Sequence, residues 1–172
     1  LKDPVGVDAA HPRFSWQLVT ERRNVIQRAY ELIVSEGTKT IWNTGKVVSD
    51  QSVHIVYGGS PLRSGESYTW KVRVWDNNGK LSKWSLPATF QAGFLKPSDW
   101  KAEWIEPGFP EDTVMRPSPI LRKKFKVTGR VVKATAYITA HGLYEARLNG
   151  VPVGDACLTP GWTSYNTRLQ YQ

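Results

Sequence analysis

The sequence carries a single cysteine, Cys157, among 172 residues. An intramolecular disulfide and a cysteine-built zinc cage are therefore both excluded. Histidine occurs three times, at His11, His54 and His141, each alone in sequence. That leaves little for a metal site, and neither a metal nor a cofactor is expected. No apolar run approaches the ~20 residues of a membrane-spanning helix, so no membrane span is expected. A convincing helix of ten residues is missing as well. The best candidate, around 22–31, lacks a clear apolar stripe. The chain opens at Leu1, without Met or a charged-then-apolar leader, which suggests a processed chain or one cut from something longer.

What is present is ordinary globular composition with a basic balance. Apolar residues make up 40% and charged residues 22%; 23 Lys and Arg against 15 Asp and Glu give a formal charge of +8. A disordered tail, a collagen-like repeat and a coiled coil do not have this composition. Fourteen Gly and eleven Pro, beside eight Trp and seven Tyr, point to many turns around an aromatic β core.

Period-two alternation recurs along the chain. In Tyr68-Thr69-Trp70-Lys71-Val72-Arg73-Val74-Trp75, Tyr68, Trp70, Val72 and Val74 point one way and Thr69, Lys71 and Arg73 the other. A pleated strand with one face on a core and one in water produces this pattern. Turn signals separate the runs, among them Asn43-Thr44-Gly45, Gly58-Gly59-Ser60-Pro61 and Asp76-Asn77-Asn78-Gly79. The chain reads as all-β, with two tandem antiparallel β-sandwiches.

The first sandwich spans residues 1–95, with strands near 13–19, 28–35, 40–43, 52–57, 67–76 and 88–94. Leu62, Gly65 and Tyr68, followed by an alternating strand and an Asn-Gly turn, resemble a fibronectin type III or Ig-like domain. Tyr68 would then be the tyrosine-corner residue, its hydroxyl bonding back to upstream backbone. The plainer reading is a Tyr at the start of any strand.

Pro97, Ser98 and Asp99 mark a linker. Trp100 and Trp104 beside it suit a clamp between the domains, or core positions within each.

The second domain, 96–172, contains a Pro-rich loop at 106–119 and expected strands at 120–127, 133–139, 143–149 and 167–171. Asn149-Gly150 between Leu148 and Val151 is a strong hairpin signal. About five strands fall short of the eight of a jelly roll, so this sandwich reads as truncated. An unpaired edge and an open core face should result. Local disorder, or completion by another chain as a strand-exchanged homodimer, would follow.

A glycosidase needs two opposed carboxylates. Glu103, Glu106, Glu111, Asp112, Glu145 and Asp155 are available, and nothing in the sequence singles out a pair, so no catalytic residue is assigned. The cluster Arg122-Lys123-Lys124-Phe125-Lys126 reads as a solvated strand edge that discourages pairing rather than a nucleic-acid site. Trp162 and Tyr165, in a Gly-Trp loop, suit stacking on a sugar ring. Trp162, like Trp100 and Trp104, also suits interdomain packing.

Taken in order, several segments resemble the N-terminal, non-catalytic region of a bacterial α-L-rhamnosidase. They are 4–8 with 12–16, Trp42-Asn43-Thr44-Gly45-Lys46-Val47 through Ser49-Asp50-Gln51-Ser52, 68–76 and 97–105. Further matches are Ile138-Thr139-Ala140 with 142–145, and Asn149-Gly150 through Thr159-Pro160-Gly161-Trp162. The resemblance implies β-sandwich domains ahead of a catalytic (α/α) barrel that removes terminal α-L-rhamnose from glycosides or polysaccharides with inversion. The acid and base, about 6.5–9.5 Å apart in an inverting enzyme, would both lie on that barrel. No catalytic position transfers to this sequence. The implied partners are the barrel and a rhamnose-containing carbohydrate, and the implied location is the periplasm or the exterior. The alternative is an adhesion or receptor-like protein of fibronectin-type modules, which the Trp-Ser pattern of Ser82-Lys83-Trp84-Ser85 resembles.

Overall fold

A computed structural model of the chain describes residues 2–110, 112, 114, 115 and 117–172. Among them there is no α-helix, and every named strand pairing is antiparallel. The chain divides into two compact units, Leu1–Glu103 and Trp104–Gln172.

Unit 1 holds seven strands: β1 (Arg13–Phe14), β2 (Gln27–Glu36), β3 (Lys39–Asn43), β4 (Val47–Val48), β5 (Ile55–Val56), β6 (Ser67–Asp76) and β7 (Ala88–Gln91). One sheet runs β3-β2-β6-β7, with β4 also on β2; the other is the pair β1-β5. Register places Tyr30 opposite Val74, Leu32 opposite Val72 and Val34 opposite Trp70. Directly opposed residues share a face, so these six form one apolar surface. Phe14 of β1 closes over it, with ring centroids 5.0 Å from Trp70 and 5.9 Å from Phe90. Leu32 and Val34 are fully buried there.

The tight corners have local causes. The Asp76 carboxylate accepts the N–H groups of Asn78 (2.9 Å) and Lys80 (2.8 Å), closing the turn after β6. Gly79 supplies its left-handed residue, at φ 75°. Beyond the turn, Ser82 and Ser85 run alongside β6. Their hydroxyl oxygens accept the Val74 and Val72 N–H groups at 3.0 and 3.1 Å, while their own N–H groups donate to Val74 and Val72 carbonyls. The Trp-Ser segment therefore extends the sheet where β7 stops.

The regular ladder of the first strand is shorter than the expected 13–19. Arg13–Phe14 alone qualifies, and the pairing continues as a single bond from Trp16 N–H to the Ser52 carbonyl. The expected strand at 88–94 ends at Gln91, because Ala92 and Gly93 bond instead to Glu66, Gly65 and Val7. β4, two residues long, is too short to show a period.

Unit 2 contains β8 (Arg147–Leu148) and β9 (Val151–Pro152). Asn149 at φ 53° and Gly150 at φ 84° make the left-handed pair of a two-residue hairpin turn. Val153 N–H extends the hairpin to the Ala146 carbonyl. Two further pairings join distant segments: Ile138 and Gln172 exchange both backbone bonds at 3.0 Å, and Tyr144 bonds Thr159 at 2.8 Å.

The strand expected at 120–127 does not form, and the basic cluster 122–126 lies exposed on irregular chain. Alternation is present there but no partner ladder is. Ile120, 96% exposed, has no apolar face to meet. The expected strand 133–139 is reduced to its pairing near Ile138. At 167–171 the first residues instead close a turn, with Thr167 and Arg168 N–H both on the Ser164 carbonyl.

Candidate functional site

In unit 2 the Ser164 turn holds Tyr165 half-buried. Its ring stacks on His141, with centroids 5.6 Å apart and planes 15° from parallel. Trp104 meets His141 edge-on at 4.6 Å and 77°. The result is a row of Trp104, His141 and Tyr165, drawn from three distant parts of the chain. Trp104 is 61% exposed and Trp162, in the same loop as Tyr165, 85% exposed. Gly161 precedes Trp162 at φ 106°, and a Cβ there would come within 2.7 Å of Gln170 Oε1. Flat aromatic faces in water, beside a phenol and an imidazole that can hydrogen-bond, can stack on the C–H face of a sugar while meeting its hydroxyls.

The structure thus brings Tyr165 together with Trp104 and His141, and leaves Trp162 open to solvent. Sequence reading did not join His141 to this group. Only contacts over long sequence separation join them, and no local spacing signals that. Trp100 sits in unit 1 after a short 3-10 turn (Pro97–Asp99) and meets Phe94 edge-on at 5.3 Å. The Asp99 carboxylate anchors this turn by accepting the Ser64 hydroxyl and the Lys96 N–H, and these bonds hold its pKa below the usual carboxylate value. Tyr68, fully buried at the start of β6, accepts the Arg63 N–H on its hydroxyl at 2.7 Å and stacks on Phe90.

The candidate acids have separate surroundings. Asp112 accepts the Met115 and Val114 N–H groups, which lower its pKa. It edges a hollow of about 300 Å³ whose other described lining residues, Phe109, Pro117, Ser118, Pro119 and Ile120, include no second carboxylate. Glu145 pairs with Arg147 at 3.4 Å on the surface. Glu103, Glu106 and Asp155 are exposed, and Glu111 lies outside the described residues. Among the described residues no three of His, Cys, Asp and Glu gather as a metal cage, and no helix is long and apolar enough to cross a membrane.

Two packed antiparallel sheets and a Tyr68 hydroxyl tied to backbone define an immunoglobulin-type module, followed by a second unit that carries a two-stranded hairpin. Residues 1–96 match the family described as Rha78A-like, N-terminal immunoglobulin domain, and the chain belongs to it. Residues 129–172 match the α-L-rhamnosidase N-terminal domain.

Two relatives, both called alpha-L-rhamnosidase, come from Formosa agariphila and Alteromonas sp. (strain LOR). The first is 35% identical over 99% of this chain and 20% of its own length. The second is 36% identical over 98% of this chain and 20% of its own. The solved α-L-rhamnosidase of Dictyoglumus thermophilum superposes with a TM-score of 0.85 at 34% identity, over 99% of this chain and 21% of that one. The chain thus spans about a fifth of the length of the relatives it matches.

Proposed function

We propose that this chain is the accessory N-terminal β region of an α-L-rhamnosidase, in which a catalytic barrel elsewhere in the polypeptide hydrolyses terminal α-L-rhamnose. One observation carries this reading: nearly the whole chain aligns to proteins of that name, yet to only a fifth of each. The adhesion alternative is not favoured, because none of these relatives is an adhesion protein by name. The chain alone should not hydrolyse an aryl α-L-rhamnoside, whereas a polypeptide in which Gln172 is followed by several hundred residues of paired helices should. Turnover by the isolated chain would overturn the reading.

Within that role, Trp162 and Tyr165, with His141 and Trp104 beside them, are the proposed carbohydrate-contacting surface of unit 2. Trp100, Trp104 and Trp162 remain the proposed packing residues between domains. The exposed apolar side chains Ile120, Phe125 and Val132 support a second element. In isolation residues 101–172 should either be disordered in places or be completed by a second copy through strand exchange, and a well-folded monomer by light scattering, with its core residues buried, would exclude both. Export to the periplasm or the exterior is proposed on the family resemblance, and fractionation of the source cells tests it.

A further inference from the structure

We propose that unit 1 carries a binding site of its own for a neutral sugar, in an open groove between the β3–β4 turn and the segment leading into β5. The groove has a volume of about 500 Å³ and is lined by Trp42, Asn43, Gln51, His54 and Val56 among others. That volume lies in the range of small-molecule sites, about 300–1,000 Å³.

The groove wall and rim have complementary chemistry. Trp42 is half-buried, held edge-on against Tyr57 at 5.1 Å, so its position is fixed by the core. Around it stand polar groups with spare capacity. Asn43 Oδ1 accepts the Gly45 N–H at 2.8 Å, leaving its amide hydrogens without a partner among the described residues. Gln51 Nε2 donates to the Val53 carbonyl at 2.9 Å, leaving Oε1 to accept. The His54 ring has no hydrogen bond among the described residues, although its backbone N–H donates to Ser15 Oγ at 3.0 Å.

His54 is also held at φ 57°, in the left-handed region that disfavours side chains. Glycine fits that backbone best, and histidine is among the side chains that enter it more readily than most. Donors, acceptors and an aromatic wall together match a polyol. Among the described residues no Asp, Glu, Lys or Arg lines the groove, so none of them would compensate an anionic ligand.

The site does not rest on the accessory role proposed above, and it shares no residue with the row in unit 2. The experiment uses the whole chain carrying Trp104→Ala, Trp162→Ala and Tyr165→Ala, so that the unit 2 surface keeps no indole or phenol. Saturation-transfer NMR is run with methyl α-L-rhamnoside, D-glucose and D-glucuronate as probes. Saturable binding of at least one neutral sugar is expected, with D-glucuronate weaker. Gln51→Ala and His54→Gly should each weaken binding by about tenfold or more. Because glycine fits the left-handed backbone, His54→Gly should keep or raise the unfolding midpoint, which separates lost binding from lost fold. No saturable response to either neutral sugar, equal binding by both variants, or D-glucuronate binding as tightly would each overturn the proposal.

Discussion

The Arg63 backbone N–H donates to the hydroxyl of Tyr68 at 2.7 Å, across the corner that leads from the β5 side of unit 1 into β6. Tyr68→Phe removes this bond while keeping the ring stacked on Phe90, 5.2 Å away. The Arg63 N–H would lose its partner, and that change should cost about 1–2 kcal/mol. Urea denaturation of the two proteins measures it, and an unchanged midpoint at unchanged slope would remove the corner from the account of stability.

A second prediction concerns the outer face of the same sheet. Glu31 and Arg73 stand directly opposite on β2 and β6, with Arg73 Nη2 2.6 Å from a carboxylate oxygen. The guanidinium also lies over Trp84 at 4.5 Å and Trp75 at 5.6 Å, while Lys71 covers Trp84 and Lys46 covers Trp75. Arg73→Ala leaves Glu31, whose side chain is 11% exposed, without its cation. A loss of about 2–3 kcal/mol is expected, less than for a fully buried pair because Arg73 keeps some solvent. In the Glu31→Gln background the same substitution should cost less, and purely additive effects would show that the pair is not coupled.

The alternation over residues 68–74 was readable because β6 lies between β2 and β7, with one face on the core and the other carrying Lys71 and Arg73. Asn149-Gly150 was readable because its turn demands two left-handed residues and those two tolerate it. The segment 120–127 has a similar alternation and no strand, since a pattern states which face would be apolar but not whether a neighbour exists to pair with it. The row of Trp104, His141 and Tyr165 lay beyond sequence reading for a related reason. Three rings far apart in the chain meet in a unit where Tyr144 pairs with Thr159 and Ile138 with Gln172, across separations that no local pattern encodes. Ser82 and Ser85 looked like a receptor-type pattern; their place here is to supply hydroxyl acceptors to β6.

A third prediction follows from close packing at the end of β5. A Cβ on Gly59 would fall 2.5 Å from Trp42 Cβ and 2.6 Å from the Tyr57 hydroxyl. Trp42 and Tyr57 both belong to the core or its packed rim, so neither can move freely. Gly59→Ala should destabilise unit 1 by about 1–3 kcal/mol through overpacking. Gly79→Ala, where a Cβ meets nothing but φ is 75°, should cost less, from backbone strain alone. Equal thermal shifts for the two would show that the packing around Trp42 and Tyr57 yields readily.

The acid limb of stability gives the fourth. Asp76 has its pKa lowered by the Lys80 N–H first, then by the Asn78 N–H and Arg22. Asp3, bonded to the Thr89 N–H and hydroxyl, and Asp99, bonded to the Ser64 hydroxyl, shift in the same direction. A carboxyl with a lower pKa in the folded state binds fewer protons there than in the unfolded chain. Its stabilisation is complete above the unfolded value, about 3.9, and is lost as pH falls through the folded value. The unfolding temperature of unit 1 should therefore vary little with these groups at neutral pH and drop steeply below about pH 4. Asp76→Asn should lower the midpoint at pH 7, where the charged carboxylate holds the turn and Arg22, and should approach the parent as pH falls through the lowered folded-state pKa of Asp76 and the carboxylate takes up its proton. A constant difference between the two proteins across the whole range would mean that Asp76 acts through its shape and not through its charge.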